Sequence, residues 1–310
     1  MHNPGRELVD PLAAVRSYLE AEKSDNTRRA YKSDWDDFTC WCQRQDVKPL
    51  PAEPIDVARY LAELADGGKK TSTIQRRTSA IAAAHKAAGL EPPTNFEGVK
   101  AVMRGIRRRV GKRKRKAAPA TAELLGQAIG AIPANKRGLR DRALVLIGFA
   151  GAFRRSELVE IHVANIERRA RGILVHVERS KTDQEGQGAA LPIPNGKMRV
   201  VDALDAWLEA AGISDGPVFR SVDRHGNVGS GALTDRQVAR IVKEVCARAG
   251  IDPRSYSGHS LRAGFITSAL EAKVDPLKVM QQSRHVKVDT LKEYDRREND
   301  FDHHAGEGFL

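Results

Sequence analysis

Five short stretches of the chain carry side chains suited to work on a phosphate. Gly151-Ala152-Phe153-Arg154-Arg155-Ser156-Glu157-Leu158 sets two arginines where one apolar helix gives way to another, and Arg179-Ser180-Lys181-Thr182 sets a lysine among turn-forming residues. Ser257-Gly258-His259-Ser260-Leu261-Arg262-Ala263-Gly264 spaces a histidine and an arginine three apart; Ser283-Arg284-His285 follows, and Tyr294 comes nine positions after His285. A phosphodiester repels nucleophiles and gathers further negative charge in its transition state. Guanidiniums answer that need with paired N–H donors and a permanent charge. His259 and Arg262, at i and i+3 of a helix, can face one phosphate together. A phenol with an ordinary pKa near 10 costs about 4 kcal/mol to ionise at pH 7, which arginine-derived potential and an imidazole base can supply. The leaving oxygen of such an ester is a poor alkoxide and needs a proton, for which a lysine amine near a hairpin bend is suited. No carboxylate cluster of the nuclease kind accompanies these residues, so the chemistry calls for no metal and no other cofactor.

Elements able to position these groups are legible in the second half. Thr121 to Ile132 and Arg140 to Gly151 read as helices, the second nearly all apolar and therefore buried. Gly172 to Glu178 and Ala189 to Pro194 alternate as strands, with Lys181 near the bend between them. Helices follow over Lys197–Ala211, Thr234–Ala249, Ser260–Ala272, Pro276–Gln282 and about Val288–Arg296. In the first half, Pro11–Glu22 reads as a short helix. A longer one capped near Ser24-Asp25-Asn26 runs to Gln45, its Tyr31, Trp35, Phe38 and Trp41 or Cys42 forming a core stripe. Helices over Ile55–Ala65, Ser72–Ala88 and Phe96–Arg109 complete this half. The helix over Ser72–Ala88 carries Arg76, Arg77 and Lys86 on a flank expected to stay open to phosphates.

Charge is concentrated between the halves. The 310 residues hold 52 Lys and Arg against 40 Asp and Glu, a formal net charge of +12, which favours polyanionic partners. Eight of the ten residues from Arg107 to Lys116 are basic: Arg107, Arg108, Arg109, Lys112, Arg113, Lys114, Arg115 and Lys116. Like charges so dense predict an extended connector over residues 107–120, with Ala117-Ala118-Pro119-Ala120 as its hinge. It would join a helical domain, residues 1–106, to an α+β domain, residues 121–310, and would lie along a DNA backbone. The expected fold class is mainly α, with a small antiparallel sheet in the second domain. Cys40, Cys42 and Cys246 read as packing thiols rather than a disulfide framework or a metal site. With no signal-peptide core and no membrane-length apolar run, a cytoplasmic, reduced protein without membrane contact is expected.

Taken in order, the five stretches resemble the tyrosine recombinase (phage integrase) family, of the Cre and Xer kind, from about residue 121 to Tyr294. The resemblance implies that Arg154 is the first active-site arginine, Glu157 the acidic residue supporting it, and Lys181 the hairpin lysine. It makes His259 and Arg262 the His-x-x-Arg pair, His285 the next phosphate-side residue and Tyr294 the nucleophile. Phe153 stands where the family often has leucine, which keeps an apolar contact. The helical first half would then be a core-binding, SAM-like DNA-binding domain. The resemblance also implies double-stranded DNA with inverted-repeat sites as partner, and a tetramer assembled on it. A type IB topoisomerase would share this chemistry, and a non-catalytic DNA-binding regulator would share the basic connector. The separate helical module and modest length favour the recombinase over the first. The intact set of catalytic positions, which a regulator does not need, favours it over the second.

Overall fold

The computed structural model describes residues 25–111, 117–178, 188–286, 288–292 and 294. They fall into two compact units that divide between residues 115 and 116. The expected helix over Pro11–Glu22 lies outside the described residues.

In the first unit, α1 (Asp25–Gln45), α2 (Pro54–Asp66), α3 (Thr71–Ala87) and α4 (Glu97–Val110) enclose one core. Each helix contributes apolar residues three, four or seven apart: Phe38, Trp41 and Cys42, then Val57, Tyr60 and Leu61, then Ile74 and Ile81, then Val99, Met103 and Ile106. That spacing puts them on one helical face. The rings of Phe38, Trp41 and Tyr60 lie 5.0 to 6.2 Å apart, so Phe38, Trp41 and Cys42 of the expected stripe are core, Trp35 packs partly buried against them, and Tyr31, half-buried, is not part of that core. His85 is buried in the same unit. Its Nε2 accepts the Ala52 N–H at 3.0 Å, and its Nδ1 lies 2.8 Å from the Ile81 carbonyl. Those two partners require a neutral ring with its proton on Nδ1. Of the two neighbouring thiols only Cys42 packs; Cys40 is exposed, because residues two apart on a helix point to different sides.

Two charge expectations change here. Arg76 and Lys86 are exposed, as an open flank requires, but both arginines are already held by carboxylates. Arg76 binds the buried Asp34 through two nitrogens, at 2.7 and 3.0 Å. Arg77, only 12% exposed, binds both carboxylate oxygens of Asp37 and donates to the Tyr60 hydroxyl at 2.8 Å. Intramolecular carboxylates have taken the place that phosphates were expected to fill. The basic connector also begins later than its charge density predicts. Arg107, Arg108 and Arg109 form the last turn of α4, where cations meet the negative end of the helix dipole and point to different sides. Arg107 reaches back to Gln75. The connector residues Lys112, Arg113, Lys114, Arg115 and Lys116 lie outside the described residues.

The connector ends sooner as well. Ala118 N–H donates to the Ser255 carbonyl at 2.7 Å and Ala120 N–H to the Ser260 carbonyl at 2.9 Å. Ala120 is buried against Gly264, where a Cβ would stand 1.8 Å from the Ala120 oxygen. Residues 118–120 are thus docked on the second unit, with Ala120 in its core, rather than forming a hinge.

That unit begins with α5 (Ala122–Gly130), capped by Thr121, and the apolar α6 (Lys136–Ala150), capped by Asn135. The short α7 (Arg155–Val159) leads into an antiparallel sheet of β1 (Ile166–Arg169), β2 (Gly172–Val177) and β3 (Ala189–Pro194), in that order. The β2–β3 register pairs Val177 with Ala189 and Ile173 with Ile193. Next comes α8 (Val200–Ala211), starting later than expected because the Asn195 side chain accepts the Val201 N–H at 2.9 Å. Its Trp207 is fully buried and donates to the Val218 carbonyl at 2.8 Å. A second hairpin, β4 (Arg220–Val222) with β5 (Val228–Ala232), was not anticipated. Its turn is organised by Asp223, which accepts from the His225 and Asn227 N–H groups. The described residues close with α9 (Asp235–Arg248), α10 (His259–Glu271), α11 (Pro276–Ser283) and α12 (Val288–Lys292). Helix α12 stops short of Tyr294, which sits in a turn with its N–H on the Leu291 carbonyl at 2.8 Å. Among the described residues no helix is long and apolar enough to cross a membrane.

Candidate active site

Arg154 occupies the N-cap of α7, directly after a tight turn in which Ala152 takes a φ of +46°. Glu157, buried one turn into α7, reaches back to that cap. Its Oε2 accepts the Arg154 backbone N–H at 2.8 Å and its Oε1 the guanidinium Nη1 at 2.6 Å. The main chain and side chain of Arg154 are therefore fixed by one carboxylate. Burial alone would raise Glu157, but Arg284 and Arg154 outweigh it and hold the carboxyl below its ordinary range.

Helix α10 supplies the next two groups from its first turn. Its start is braced by Ser257 Oγ, which accepts the His259 N–H at 3.2 Å, and by Ser260 Oγ, which accepts the Ser257 N–H at 2.9 Å. Arg262, 1% exposed, donates through Nη1 to the Ala152 carbonyl at 2.9 Å, two residues ahead of Arg154. Burial, with Arg154 and Arg284 nearby, pulls its guanidinium down to about 10. His259 remains exposed on the side open to solvent. Loss of hydration around its ring, then repulsion from Arg262, Arg154 and Arg155, still lowers its proton affinity, so the imidazole is neutral at pH 7.

The segment after α11 brings the remaining groups. His285 Nδ1 lies 2.8 Å from Ser283 Oγ, which itself donates to the Val279 carbonyl at 2.6 Å. The ring proton therefore sits on Nδ1, and Nε2, 3.4 Å from Arg262 Nη2, is the acceptor. Burial and the surrounding arginines push His285 down to about 4. The half-buried Tyr294 ring packs against Ile266, Val279 and Leu291. Its Oη is 3.0 Å from His259 Nε2. The Tyr294 and His285 ring centres are 5.8 Å apart.

Arg154, Glu157, His259, Arg262, His285 and Tyr294 thus meet at one place. Lys181 lies outside the described residues, although the strands flanking it pair as expected. Sequence reasoning quoted Arg284 and Ser283 beside His285 without giving either a part. Arg284 adopts a left-handed backbone, φ +55° and ψ +45°, which costs a residue with a side chain roughly 1 kcal/mol. Its guanidinium binds Glu157 Oε2 at 2.6 Å and stacks over Phe153 at 5.4 Å. Three guanidiniums around one carboxylate leave surplus positive charge, the condition for holding an anion.

The family model described as the phage integrase family matches residues 121–300, and that of the phage integrase N-terminal SAM-like domain matches residues 15–91. The chain belongs to the phage integrase family. This tyrosine recombinase is 40% identical over 294 residues to the integrase/recombinase xerD homolog of Selenomonas ruminantium, covering 93% of this chain and 86% of the relative. Its fold matches that of a lambda integrase dimer bound to a COC′ core site, with a TM-score of 0.62 and 19% identity over 93% of this chain and 95% of that one. It also matches a XerH site-specific recombinase bound to palindromic difH substrate, with a TM-score of 0.56 and 16% identity over 78% and 68% of the two chains.

Proposed function

We propose that this tyrosine recombinase cuts and rejoins DNA strands at specific sites through a 3′-phosphotyrosine intermediate, without metal or ATP. The 3.0 Å contact between His259 Nε2 and Tyr294 Oη, beside the buried Arg262 and the cap residue Arg154, carries this reading. A neutral imidazole at that distance accepts the phenol proton as the oxygen attacks phosphorus. Arg154 and Arg262 hold the non-bridging oxygens and neutralise the charge that gathers there. The phosphate's own charge raises the proton affinity of His285, whose imidazolium then donates to it from Nε2. The bond from phosphorus to the 5′-oxygen breaks, and that oxygen takes a proton from Lys181. The phosphotyrosine conserves the energy of the broken diester, so attack by another strand's 5′-hydroxyl reseals DNA without a nucleotide cofactor.

The exposed Arg107, Arg108 and Arg109, with Lys112 to Lys116, supply cations for the DNA backbone. Two chains on an inverted repeat, and four across two such sites, follow from the family reading. The dimeric lambda integrase and the palindromic substrate of XerH support it.

The test is covalent capture on a nicked target duplex in excess EDTA. A protein–DNA adduct should form, and peptide mapping should place the phosphate on Tyr294; no adduct, or one on another residue, overturns the proposal. Lys181→Ala should cleave poorly on ordinary DNA and recover when sulfur, a better leaving group, replaces the scissile 5′-oxygen. A folded variant that sulfur does not rescue removes Lys181 from the acid role.

A further inference from the structure

We infer that Arg284 is a positioning residue of the active site, a clasp that ties the His285–Tyr294 segment to the Glu157–Arg154 pair. This inference rests on the function proposed above. Three observations lead to it. The residue accepts a left-handed backbone that glycine would adopt without strain, at the end of α11 directly before His285. Its side chain turns inward and is 9% exposed. It ends on Glu157 Oε2, the same oxygen that accepts the Arg154 backbone N–H. The same Nη2 also lies 3.5 Å from the Ala152 carbonyl, which receives Arg262 as well.

The arrangement has a mechanical sense. Glu157 is the common anchor: one oxygen holds the Arg154 guanidinium, and the other holds the Arg154 main chain and Arg284. Arg284 joins to this anchor the segment that carries His285 and leads to the nucleophile. With that link gone, the α11 end is tied near Arg154 mainly by the 3.4 to 3.5 Å contacts between Arg262 and His285 and by Gln282 on the Ala150 carbonyl. Arg284 needs to touch neither substrate nor reacting atoms for this. It acts through Glu157 and through the backbone of its neighbour.

The electrostatics give a readout that mere packing would not move. Glu157 is faced by Arg154, Arg262, Arg284 and Glu160. His285 is faced by Arg262, Arg154, His259 and Arg284. Removing the Arg284 cation raises the proton affinity of both groups. Glu157 must stay ionised to anchor Arg154, so its titration moves the acidic limb of the cleavage profile toward neutral pH, whereas His285, active as the imidazolium, does not oppose that shift.

The experiment compares wild type, Arg284→Gly and Arg284→Lys in single-turnover adduct formation on the nicked duplex, across pH, with DNA affinity measured alongside. Glycine favours the left-handed turn, so Arg284→Gly keeps the backbone and removes only the clasp. It should bind DNA as wild type does and form adduct more slowly, on the order of a hundredfold, which is the cost of about an ångström of misplacement at a reacting centre. Its acidic limb should shift upward. Arg284→Lys, which keeps the charge, should recover part of the rate and return the limb toward its original place. Wild-type rate and limb in Arg284→Gly would overturn the inference while leaving the proposed function intact. Absence of adduct in wild type would instead overturn the function. If Arg284→Gly fails to fold, Arg284→Asn, which also tolerates the left-handed turn, takes its place: a slowed rate with a raised limb supports the inference, and wild-type rate and limb overturn it.

Discussion

Tyr294→Phe should bind target DNA with wild-type affinity and form no covalent adduct. The substitution removes one oxygen and leaves the ring, which packs against Ile266, Val279 and Leu291, so the loss belongs to chemistry rather than folding. The oxygen removed is the one 3.0 Å from His259 Nε2. Without it there is no group for the imidazole to deprotonate and nothing to bond to phosphorus. The loss should be complete within detection, because no weaker nucleophile stands at that position. Gel shift on intact duplex and denaturing electrophoresis on nicked duplex separate the two properties. An adduct in the variant would show that attack comes from elsewhere.

Arg262→Lys should lose roughly two to three orders of magnitude in adduct formation, comparable to removing one preorganised donor from an enzyme's anion site. The change looks conservative and is not. The Arg262 guanidinium is 1% exposed, and its surroundings already draw it down to about 10. An ammonium starts lower, near 10.4, so under the same burial and the same neighbouring cations it comes much closer to losing its proton at pH 7. It also lacks the planar fork that lets Arg262 hold the Ala152 carbonyl with one nitrogen and offer another to the phosphate. Single-turnover rates measured from pH 6 to 9 test both points. The residual rate should fall as pH rises and the amine discharges. A rate within a few-fold of wild type would remove Arg262 from the phosphate clamp.

Much of this architecture is legible in local patterns. The helices of both units, the β2–β3 hairpin and the six converging side chains follow from residue periodicity and from the order of five stretches. What escaped depends on partners far apart in sequence. Arg76 and Arg77 read as open cations because Asp34 and Asp37, which take them, sit about forty residues earlier on another helix. Arg284 was passed over for the same reason, its carboxylate partner being 127 positions away. Residues 118–120 read as a hinge from their small side chains. Small side chains are also what a tightly packed seat requires, and only the absent Cβ of Gly264 tells the two apart. The β4–β5 hairpin was missed because its strands are short and β5 carries glycines, leaving little alternation to read.

The seating of Ala120 against α10 bears on the readiness of the site before substrate arrives. A helix is loosest at its ends, where the outermost N–H and C=O groups lack partners along the chain, and His259 is the first residue of this one. Here the weak end is clamped from outside by main chain that precedes it by more than a hundred residues. Fraying at His259 would require prising that clamp away as well as melting a turn. The imidazole is thus kept at its post by distant backbone, and binding energy from DNA need not be spent on ordering it.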